Sequence, residues 1–588
     1  MQTAETILNV IRDRGERGLK LSRIYRQLFN SQLYLLAYSK LYRNEGAMTP
    51  GITEETVDGM SLARIFRLID DLRYERFQWT PVRRTYIPKK DGSKRPLGIP
   101  TWRDKLLQEV IRLLLEAYFE PRFSSHSHGF RAKHGCHTAL NEVKYTCRGT
   151  KWFIEGDISK CFDSLDHQVL INVLRRHVDD ERFIRLIANL LKAGYMEEWR
   201  WNVTMSGAPQ GSVLSPLLSN IYLNELDKFV EQILLPEYNR GDKRRLRNPV
   251  YKHYEYKRRL AKERDDRKAY KAFDKKLRSV PASHPRDPMY RRLKYTRYAD
   301  DFLLSFAGPK GGAEEIKQKL AQFLSEELKL ELSKVKTLIT HARTEPARFL
   351  GYDVKVAQKD SWRDRNNMRT LNGEITLRVP RDTLQKLCAR YQRYGKPIHR
   401  AKLAQRHDSD IVARYQSEYR GFVQYYKLAL NLHQLSKLHW VMATSMLKTL
   451  ANKHKSTVNA MVKKYKTIIE TEHGPMKGFR VVVEREGKKP LTREFGGIPL
   501  RKQARAGFIV DRFSAPRPNR AQLIDRLLAE ICELCDSEEE VQVHHIRKLA
   551  DLITPGRNEK PPWMKRMAAT RRKTLVLCSK CHATIHSG

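Results

Sequence analysis

The chain has 588 residues, 40% of them hydrophobic, and its 112 Lys and Arg residues against 67 Asp and Glu residues give a formal net charge of +45. This length and apolar content suffice for several domains, and the charge predicts an anionic partner, with nucleic acid favoured over an acidic membrane surface. No run approaches the roughly 18 apolar residues of a membrane span, and the first residues lack a secretory signal. We therefore predict a soluble intracellular protein with no membrane partner.

The predicted secondary structure alternates between helices and strands along the chain. Apolar residues recur at helical spacing from the start to about Tyr74. The stretch TYIPKKDGSKRPLGIPT then predicts two strands joined by a turn at Asp91 and Gly92. Helical spacing returns in DKLLQEVIRLLLEAYFEPRF, and WFIEGDI at 152–158 reads as a buried strand followed by the helix LDHQVLINVLRRHV.

Residues about 240–297 form a charge-dense insertion with about 22 Lys and Arg residues against about 7 Asp and Glu residues. A run of this kind is usually solvated and partly disordered. Here four tyrosines interleave with the cations, at Tyr251, Tyr254, Tyr256 and Tyr270. That mixture suits phosphate neutralisation combined with base stacking, so we expect the insertion to contact RNA.

Two adjacent carboxylates, Asp300 and Asp301, lie in the stretch RYADDFLLSF between two strands that read as buried. Alone, such a pair is typical of a solvated turn. A second acidic site follows the strand ending at Asp157 in IEGDISKCFDSLDH. If these strands pair, three carboxylates converge and repel one another unless divalent cations are bound. Oxygen ligands suit Mg²⁺, and two such ions activate a 3′-hydroxyl and stabilise a leaving pyrophosphate.

These motifs, in order, carry a family resemblance. DISKCFD, GAPQGSVLSPLLSNIYLNELD and RYADD resemble the core of reverse transcriptases. RPLGIPTWRDKLLQEVIRLLLEAYFEPRFSSHSHGFR and KLELSKVKTLIT with RFLGYDV are similar to group II intron-encoded proteins. The resemblance implies a multidomain α+β fold: a right-hand polymerase whose fingers and palm cover 1–379, an α-helical thumb or maturase domain over 380–474, a DNA-binding segment and linker over 475–522, and a C-terminal unit over 523–588.

The resemblance also implies roles for individual residues. Asp157 and Asp300 match the Mg²⁺ ligands, with Asp301 as the supporting third carboxylate. Phe162 matches the steric gate that excludes a nucleotide 2′-hydroxyl, which implies the use of dNTPs. The other predicted nucleotide-binding residues are Gln210 beside the incoming nucleotide, Lys89 and Arg95 on the triphosphate, and Lys336 as the donor of a proton to pyrophosphate. Without the resemblance, Phe162 reads as a core aromatic and the three cations as solvated side chains.

The segment after Pro380 turns helical and basic. In YQSEYRGFVQYYKLALNLHQLSKLHWVMATSMLKTL, aromatic residues recur at helical spacing, at Tyr415, Tyr419, Phe422 and Tyr426. Such a stripe usually packs in a core. We expect intron RNA to bind the opposite, basic faces.

Four of the eight cysteines form two CxxC pairs, Cys532 with Cys535 and Cys578 with Cys581. Two such pairs predict a tetrahedral Zn²⁺ site. The stretch CSKCH also fits a c-type haem attachment, which the second pair and the basic context disfavour. The solitary Cys136, Cys147, Cys161 and Cys388 read as buried small apolar groups.

Histidines add a second constellation to this zinc-containing unit. His544 and His545 are adjacent, and a helix would bring His582 and His586 onto one face. A purely structural zinc fold with incidental histidines is one interpretation. The other is a resemblance to the ββα-metal HNH endonucleases, which implies His544, His582 and His586 as ligands of a catalytic Mg²⁺ or Mn²⁺ and His545 as the general base. Lys573 stands where that family usually has Asn, and Asn558 is a candidate substitute.

We therefore predict a group II intron-encoded reverse transcriptase and maturase that binds its intron RNA, promotes splicing, nicks target DNA with its HNH unit and copies the intron into cDNA from the nick. The expected location is the bacterial cytoplasm, at the nucleoid when acting on DNA, or an organelle. One alternative is a splicing-only maturase with an inactive polymerase, which the three intact carboxylates disfavour. The other is a standalone bacterial reverse transcriptase, which would lack the C-terminal half.

Overall fold

The computed structural model describes residues 2–88, 92, 94–197, 200–202, 207, 211–242, 244–284, 287–333, 335–365, 367, 370–485, 487–502, 522–552 and 561–587. The α-helices are α1 Ala4–Glu16, α2 Ser31–Leu41, α3 Leu62–Arg73, α4 Trp102–Phe119, α5 Cys136–Thr146, α6 Cys161–Ser164, α7 His167–Arg175, α8 Glu181–Lys192, α9 Ser215–Phe229, α10 Leu235–Tyr238, α11 Pro249–Glu263, α12 Arg267–Ser279, α13 Lys310–Glu326, α14 Arg381–Ala389, α15 Ala401–Ala404, α16 Asp408–Tyr425, α17 Leu435–Lys453, α18 Val458–Tyr465, α19 Gln522–Leu528, α20 Pro562–Thr570 and α21 Ser579–Ser587.

The strands are β1 Leu21–Ser22, β2 Val82–Pro88, β3 Lys94–Ile99, β4 Ser127–His128, β5 Trp152–Asp157, β6 Val178–Asp179, β7 Tyr195–Glu197, β8 Arg200–Asn202, β9 Arg292–Tyr298, β10 Asp301–Ala307, β11 Leu338–His341, β12 Ala347–Phe349, β13 Tyr352–Val356, β14 Ile375–Arg378, β15 Gln392–Arg393, β16 Lys396–Pro397, β17 Lys466–Ile469, β18 Met476–Arg485, β19 Lys488–Gly496, β20 Gln542–His545 and β21 Thr574–Leu577. None of the described helices has both the length and the apolar content needed to cross a membrane.

The first part of the chain is helical, as its apolar spacing predicts. Helix α4 begins after Thr101, whose hydroxyl accepts a hydrogen bond from the Asp104 amide at 3.3 Å, and most of its residues are buried. The predicted hairpin is present as the antiparallel pair β2 and β3. Asp91 of its turn lies outside the described residues.

A five-stranded sheet, in the order β11-β5-β10-β9-β4, occupies the centre of the polymerase-like region and is called the central sheet below. Side chains alternate between the faces of a strand, and here both faces are covered. Ile154 and Leu304 point into one apolar core, and Phe153 and Leu303 point into the other. This two-sided burial explains the nearly continuous apolar run of WFIEGDI and DFLLSF.

The charge-dense insertion contains a packed pair of helices, α11 and α12. Each helix buries one residue, Ala261 in α11 and Leu277 in α12. Ion pairs join the helices, with Asp274 contacting Arg258 at 2.9 Å and Arg278 of its own helix at 2.8 Å. The described part of the insertion is therefore ordered, although it has almost no core.

The segment after Pro380 packs helices α14 to α18 around an apolar core. Tyr415, Tyr419 and Tyr426 are buried in it, as the aromatic stripe predicts, and Phe422 is partly buried. The antiparallel sheet of β17, β18 and β19 continues from α18, so it crosses the expected domain boundary between 474 and 475. This sheet is fastened to α16 by two hydrogen bonds between Gln416 and Gly496, at 2.9 and 3.0 Å.

The C-terminal unit has an antiparallel pair, β20 and β21, followed by helix α21. It also packs against the beginning of the chain. Leu523 and Leu527 of α19 and Val543 of β20 belong to the same apolar core as α1 to α4. Its other apolar residues form a small core of their own around Met567 and Leu577.

Candidate active sites

The three predicted polymerase carboxylates meet at one end of the central sheet and are called the acidic cluster. Asp301 begins β10 and is paired across the sheet with Asp157, the last residue of β5. Asp300 lies in the turn between β9 and β10, directly after Ala299, whose φ of 54° is in the left-handed region. The pairing that the sequence analysis assumed is therefore present.

A buried ion pair fixes the turn that carries Asp300. Arg297 and Asp227 have side-chain exposures of 0% and 1%, and their atoms Nη2 and Oδ2 are 2.6 Å apart. The guanidinium also donates to the carbonyl oxygen of Ala299 at 2.9 Å and to Oγ of Ser127 at 2.7 Å. Because the planar guanidinium group donates hydrogen bonds to several partners in fixed directions, Arg297 connects helix α9 to the backbone next to Asp300.

The electrostatics of the acidic cluster favour bound cations. Burial and the neighbouring Asp300 and Asp157 raise the pKa of Asp301 to about 7. Burial, together with the charge of Asp157, also raises the pKa of Asp300. Lys336 donates to Oδ2 of Asp157 at 2.9 Å, and this bond raises the pKa of the Lys336 ammonium. Carboxylates that repel one another and recruit a lysine are suited to divalent ions, which would remove the repulsion.

The predicted nucleotide-binding residues have different outcomes. Phe162 lies in α6, is partly exposed, and packs edge-on against Phe130 with ring centroids 6.1 Å apart. Arg95 is exposed in β3, and its charge acts to lower the pKa of Asp300. Arg95 therefore borders the acidic cluster, while Lys89 and Gln210 lie outside the described residues.

The four cysteines of the CxxC pairs converge and are called the cysteine cluster. Their sulfur atoms all lie within 4.8 Å of one another, with Cys535 at 3.6 Å from Cys578 and 3.5 Å from Cys581. Sulfur ligands about 2.3 Å from zinc in a tetrahedron are about 3.8 Å apart. Burial opposes ionisation of Cys532, but backbone hydrogen bonds lower its pKa to about 7. This donor set fits Zn²⁺ and leaves no sulfur for haem.

The predicted HNH metal ligands also converge, and a fourth residue joins them. His544, His582, His586 and Asp58, together called the histidine cluster, each place one ligand atom within 4.8 Å of the others. Asp58 comes from the loop before α3. Its carboxylate oxygens lie 3.4 Å from Nδ1 of His544, 3.3 Å from Nε2 of His582 and 2.8 Å from Nε2 of His586.

The geometry of the histidine cluster fits a metal ion. Ligand atoms about 2.0–2.1 Å from zinc in a tetrahedron are about 3.3 Å apart, and Nε2 of His582 and Nε2 of His586 are 3.2 Å apart. His544 is 4% exposed. Its Nε2 has no hydrogen-bond partner among the described residues, and its Nδ1 has only the 3.4 Å contact with Asp58. Buried polar atoms are normally satisfied, so these nitrogens favour a ligand in the cluster.

His545, the predicted general base, is 5% exposed. Its Nε2 is hydrogen-bonded to the hydroxyl of buried Tyr38 at 2.8 Å, and its backbone amide donates to Oδ1 of Asp58 at 2.6 Å. Burial lowers the pKa of His545 to about 3.

Lys573, at the position of the usual HNH asparagine, donates to the carbonyl oxygen of Arg547 at 3.1 Å, and Asn558 lies outside the described residues.

Three family models match separate parts of the chain. A family model described as reverse transcriptase (RNA-dependent DNA polymerase) matches residues 87–254, and one described as type II intron maturase matches residues 380–488. A third, described as AI2M/AI1M-like HNH endonuclease, matches residues 531–582. The chain is 39% identical over 594 residues to the group II intron-encoded protein LtrA of Lactococcus lactis, with 95% of each chain covered. The chain belongs to the group II intron-encoded proteins.

Other relatives of this group II intron-encoded protein are more distant. The putative COX1/OXI3 intron 1 protein of Saccharomyces cerevisiae is 33% identical over 583 residues, covering 95% of this chain and 68% of the yeast protein. Nuclear intron maturase 1, mitochondrial, of Arabidopsis thaliana is 26% identical over 294 residues, covering 41% of this chain and 39% of its own. The protein is an RNA-directed DNA polymerase and intron maturase with an HNH endonuclease, as predicted, and not a standalone reverse transcriptase.

The sequence analysis missed four residues of these sites. Arg297 and Asp227 both stood inside quoted motifs, but β9 carries other basic residues, so the sequence did not distinguish Arg297. Asp58 and Tyr38 gave no signal, because they lie 487 and 507 residues before His545, which both contact. Only the docking of the C-terminal unit brings them into the site.

Proposed function

We propose that the acidic cluster is the polymerase site and that it extends a DNA 3′-end on an intron RNA template with dNTPs. The single observation that carries this proposal is the cross-strand pairing of Asp157 with Asp301, next to Asp300 in its anchored turn. Magnesium ions bound there supply activation of the 3′-hydroxyl and stabilisation of the leaving pyrophosphate. In this reading β5, β9 and β10 belong to the palm and the β2–β3 hairpin to the fingers.

The surrounding residues are assigned positioning roles in the same proposal. Phe162 blocks a 2′-hydroxyl, and Arg95, with Lys89 from the same hairpin, binds the triphosphate. Gln210 contacts the incoming nucleotide. Lys336 is kept protonated by Asp157, which suits a donor to pyrophosphate.

The remaining parts of the chain act before and after polymerisation. We assign intron RNA binding to the helices after Pro380, which form the thumb, and to the α11–α12 insertion. In the insertion, cations lie over tyrosine rings, with Arg259 at 5.4 Å from Tyr256 and Lys276 at 5.7 Å from Tyr254. Such surfaces suit RNA through phosphate neutralisation and stacking. The segment near 475–522 contacts DNA, and the HNH unit nicks the target strand to release a primer.

The metals follow from the donor sets. The cysteine cluster suits structural Zn²⁺, and the acidic cluster suits Mg²⁺. Three imidazoles and a carboxylate in the histidine cluster favour Mn²⁺ or Zn²⁺ over Mg²⁺, because Mg²⁺ prefers oxygen ligands.

The test is the double variant Asp300→Asn, Asp301→Asn. Primer extension on RNA should fall by orders of magnitude because the metal ligands are lost. Intron RNA binding and splicing at low Mg²⁺ should persist, since affinity depends on phosphate neutralisation by the basic surface. The matched control is Asp265→Asn, Asp266→Asn, another adjacent pair, located between α11 and α12.

Unchanged extension in the first variant would refute the polymerase site. If splicing and extension were lost together in a folded protein, the separation of maturase from polymerase would be wrong. A wild-type protein that supports splicing but never extends a primer would instead be the splicing-only maturase.

A further inference from the structure

The HNH unit is bound to the N-terminal region through its catalytic strand. The Gly59 amide donates to the carbonyl oxygen of Val543 at 2.9 Å, and the Val543 amide donates to the carbonyl oxygen of Met60 at 2.8 Å. Val543 is the residue immediately before His544. Since Leu523 and Leu527 also enter the N-terminal core, the contact combines backbone pairing with apolar burial.

This docking determines what surrounds each HNH residue. Asp58, next to the paired Gly59, reaches all three metal-binding histidines and has a side-chain exposure of 15%. The hydroxyl of Tyr38 in α2 is hydrogen-bonded to Nε2 of His545, the predicted general base, at 2.8 Å. The ring of Tyr42 also lies against His545, with centroids 6.1 Å apart.

A catalytic metal site keeps one position open for water or substrate, whereas a structural site is closed by protein ligands. Three histidines alone form an open site. With Asp58 the set becomes four ligand atoms from the protein, at separations near those of a tetrahedron, which would leave a four-coordinate Zn²⁺ without an open position. At the same time, one ring nitrogen of the predicted general base His545 is hydrogen-bonded to the Tyr38 hydroxyl, and His545 is shielded from solvent.

We propose that Asp58 is a fourth ligand to the HNH metal ion, and that the docked unit is a closed form of the endonuclease in which a DNA phosphate has no position to occupy. The inference rests on the proposed HNH function of the histidine cluster. Nicking then requires the HNH unit to separate from Asp58 and Tyr38. The N-terminal region thus restrains an activity located almost five hundred residues away in the chain.

The experiment uses the full-length protein, stripped with chelator and reloaded with Zn²⁺. Bound zinc is counted by mass spectrometry, and amide exchange is followed in peptides containing Gly59 and Val543. Asp58→Asn should bind the histidine-cluster zinc roughly tenfold or more weakly and exchange these amides roughly tenfold faster. The matched control is Glu55→Gln, which removes one charge from the same loop and a 3.8 Å ion pair with Arg64. It should behave as wild type.

Activity is a separate readout, measured as nicking of supercoiled plasmid by the Zn²⁺-reloaded protein. Asp58→Asn and Tyr38→Phe should each raise nicking several-fold, because each weakens the closed form. Unchanged zinc affinity in Asp58→Asn would show that Asp58 is not a fourth ligand. Lower nicking in Asp58→Asn would overturn the closed form, since Asp58 would then be an activating ligand.

One further variant separates this inference from the function on which it rests. Adding His545→Ala to Asp58→Asn should abolish the nicking. If nicking persists, the proposed HNH function fails, while zinc affinity and amide exchange still decide whether Asp58 is a ligand. Exchange in the central sheet should be unchanged in every variant, which shows that the rest of the chain is folded.

Discussion

Replacing Asp227 with Asn should destabilise the central sheet and inactivate the polymerase together. The substitution leaves the guanidinium of Arg297 with 0% side-chain exposure and without its carboxylate. Breaking a buried ion pair by removing one partner costs about 3–5 kcal/mol. Since each 1.4 kcal/mol is a factor of ten, amides of β9 and β10 that exchange by opening of the sheet should exchange roughly 10²–10³ times faster.

The assay is amide hydrogen exchange by mass spectrometry, combined with primer extension. Exchange reports the sheet directly, whereas a single unfolding free energy is poorly defined for a multidomain chain. Asp274→Asn is the matched control, because Asp274 is also ion-paired with arginine, but its pairs with Arg258 and Arg278 lie nearer the surface. Its cost should be at most about 1 kcal/mol, less than roughly tenfold in exchange.

A second variant separates stability from positioning. In Arg297→Met, Asp227→Leu no charge is left buried, so most of the stability should return. Primer extension should not return, because the carbonyl oxygen of Ala299 has lost the donor that anchors the turn carrying Asp300. Wild-type exchange in Asp227→Asn, or an equal effect of Asp274→Asn, would refute the reasoning. Full activity in the double variant would refute the anchoring role.

Three further outcomes are expected. Phe162→Val should raise rNTP incorporation relative to dNTP incorporation in steady-state primer extension, and an unchanged ratio would contradict the steric gate. Cys535→Ser should lose tightly bound zinc and unfold the C-terminal unit, because metal binding there is coupled to folding; circular dichroism and zinc content measure both. Burial raises the pKa of Asp104 to about 6, so its contribution to stability is full below about pH 4 and is lost as pH rises through about 6. Asp104→Asn should therefore stabilise the protein against thermal unfolding at pH 8 but not at pH 4.

The sequence predicted well where a motif combined local spacing with chemistry. Two CxxC pairs are sufficient to predict a zinc site, because few other arrangements use four thiols at that spacing. The helical spacing of His582 and His586 placed both imidazoles on one face of α21. The aromatic stripe after Pro380 was confirmed as core because amphipathic periodicity follows directly from helix geometry.

Prediction was weaker where the question was whether a segment is ordered or disordered. From its composition alone, the insertion at 240–297 could be either ordered or solvated and partly disordered. Its helices are held together by an ion pair at Asp274 and by cation–π contacts at Tyr254 and Tyr270 rather than by a core. Such contacts are individually weak, and no apolar periodicity in the sequence predicts them.

The sequence by itself determined the family, the order of the domains and the chemistry of each ligand set, because these depend on which residue types recur at which spacing. Only the tertiary structure decided which distant residues share a site. Arg297 reaches Asp227 through sheet and helix packing, and Asp58 and Tyr38 reach the HNH histidines through docking of β20 beside Gly59 and Met60. Contacts of this kind depend on burial and backbone pairing between segments far apart in the chain, which leave no local pattern.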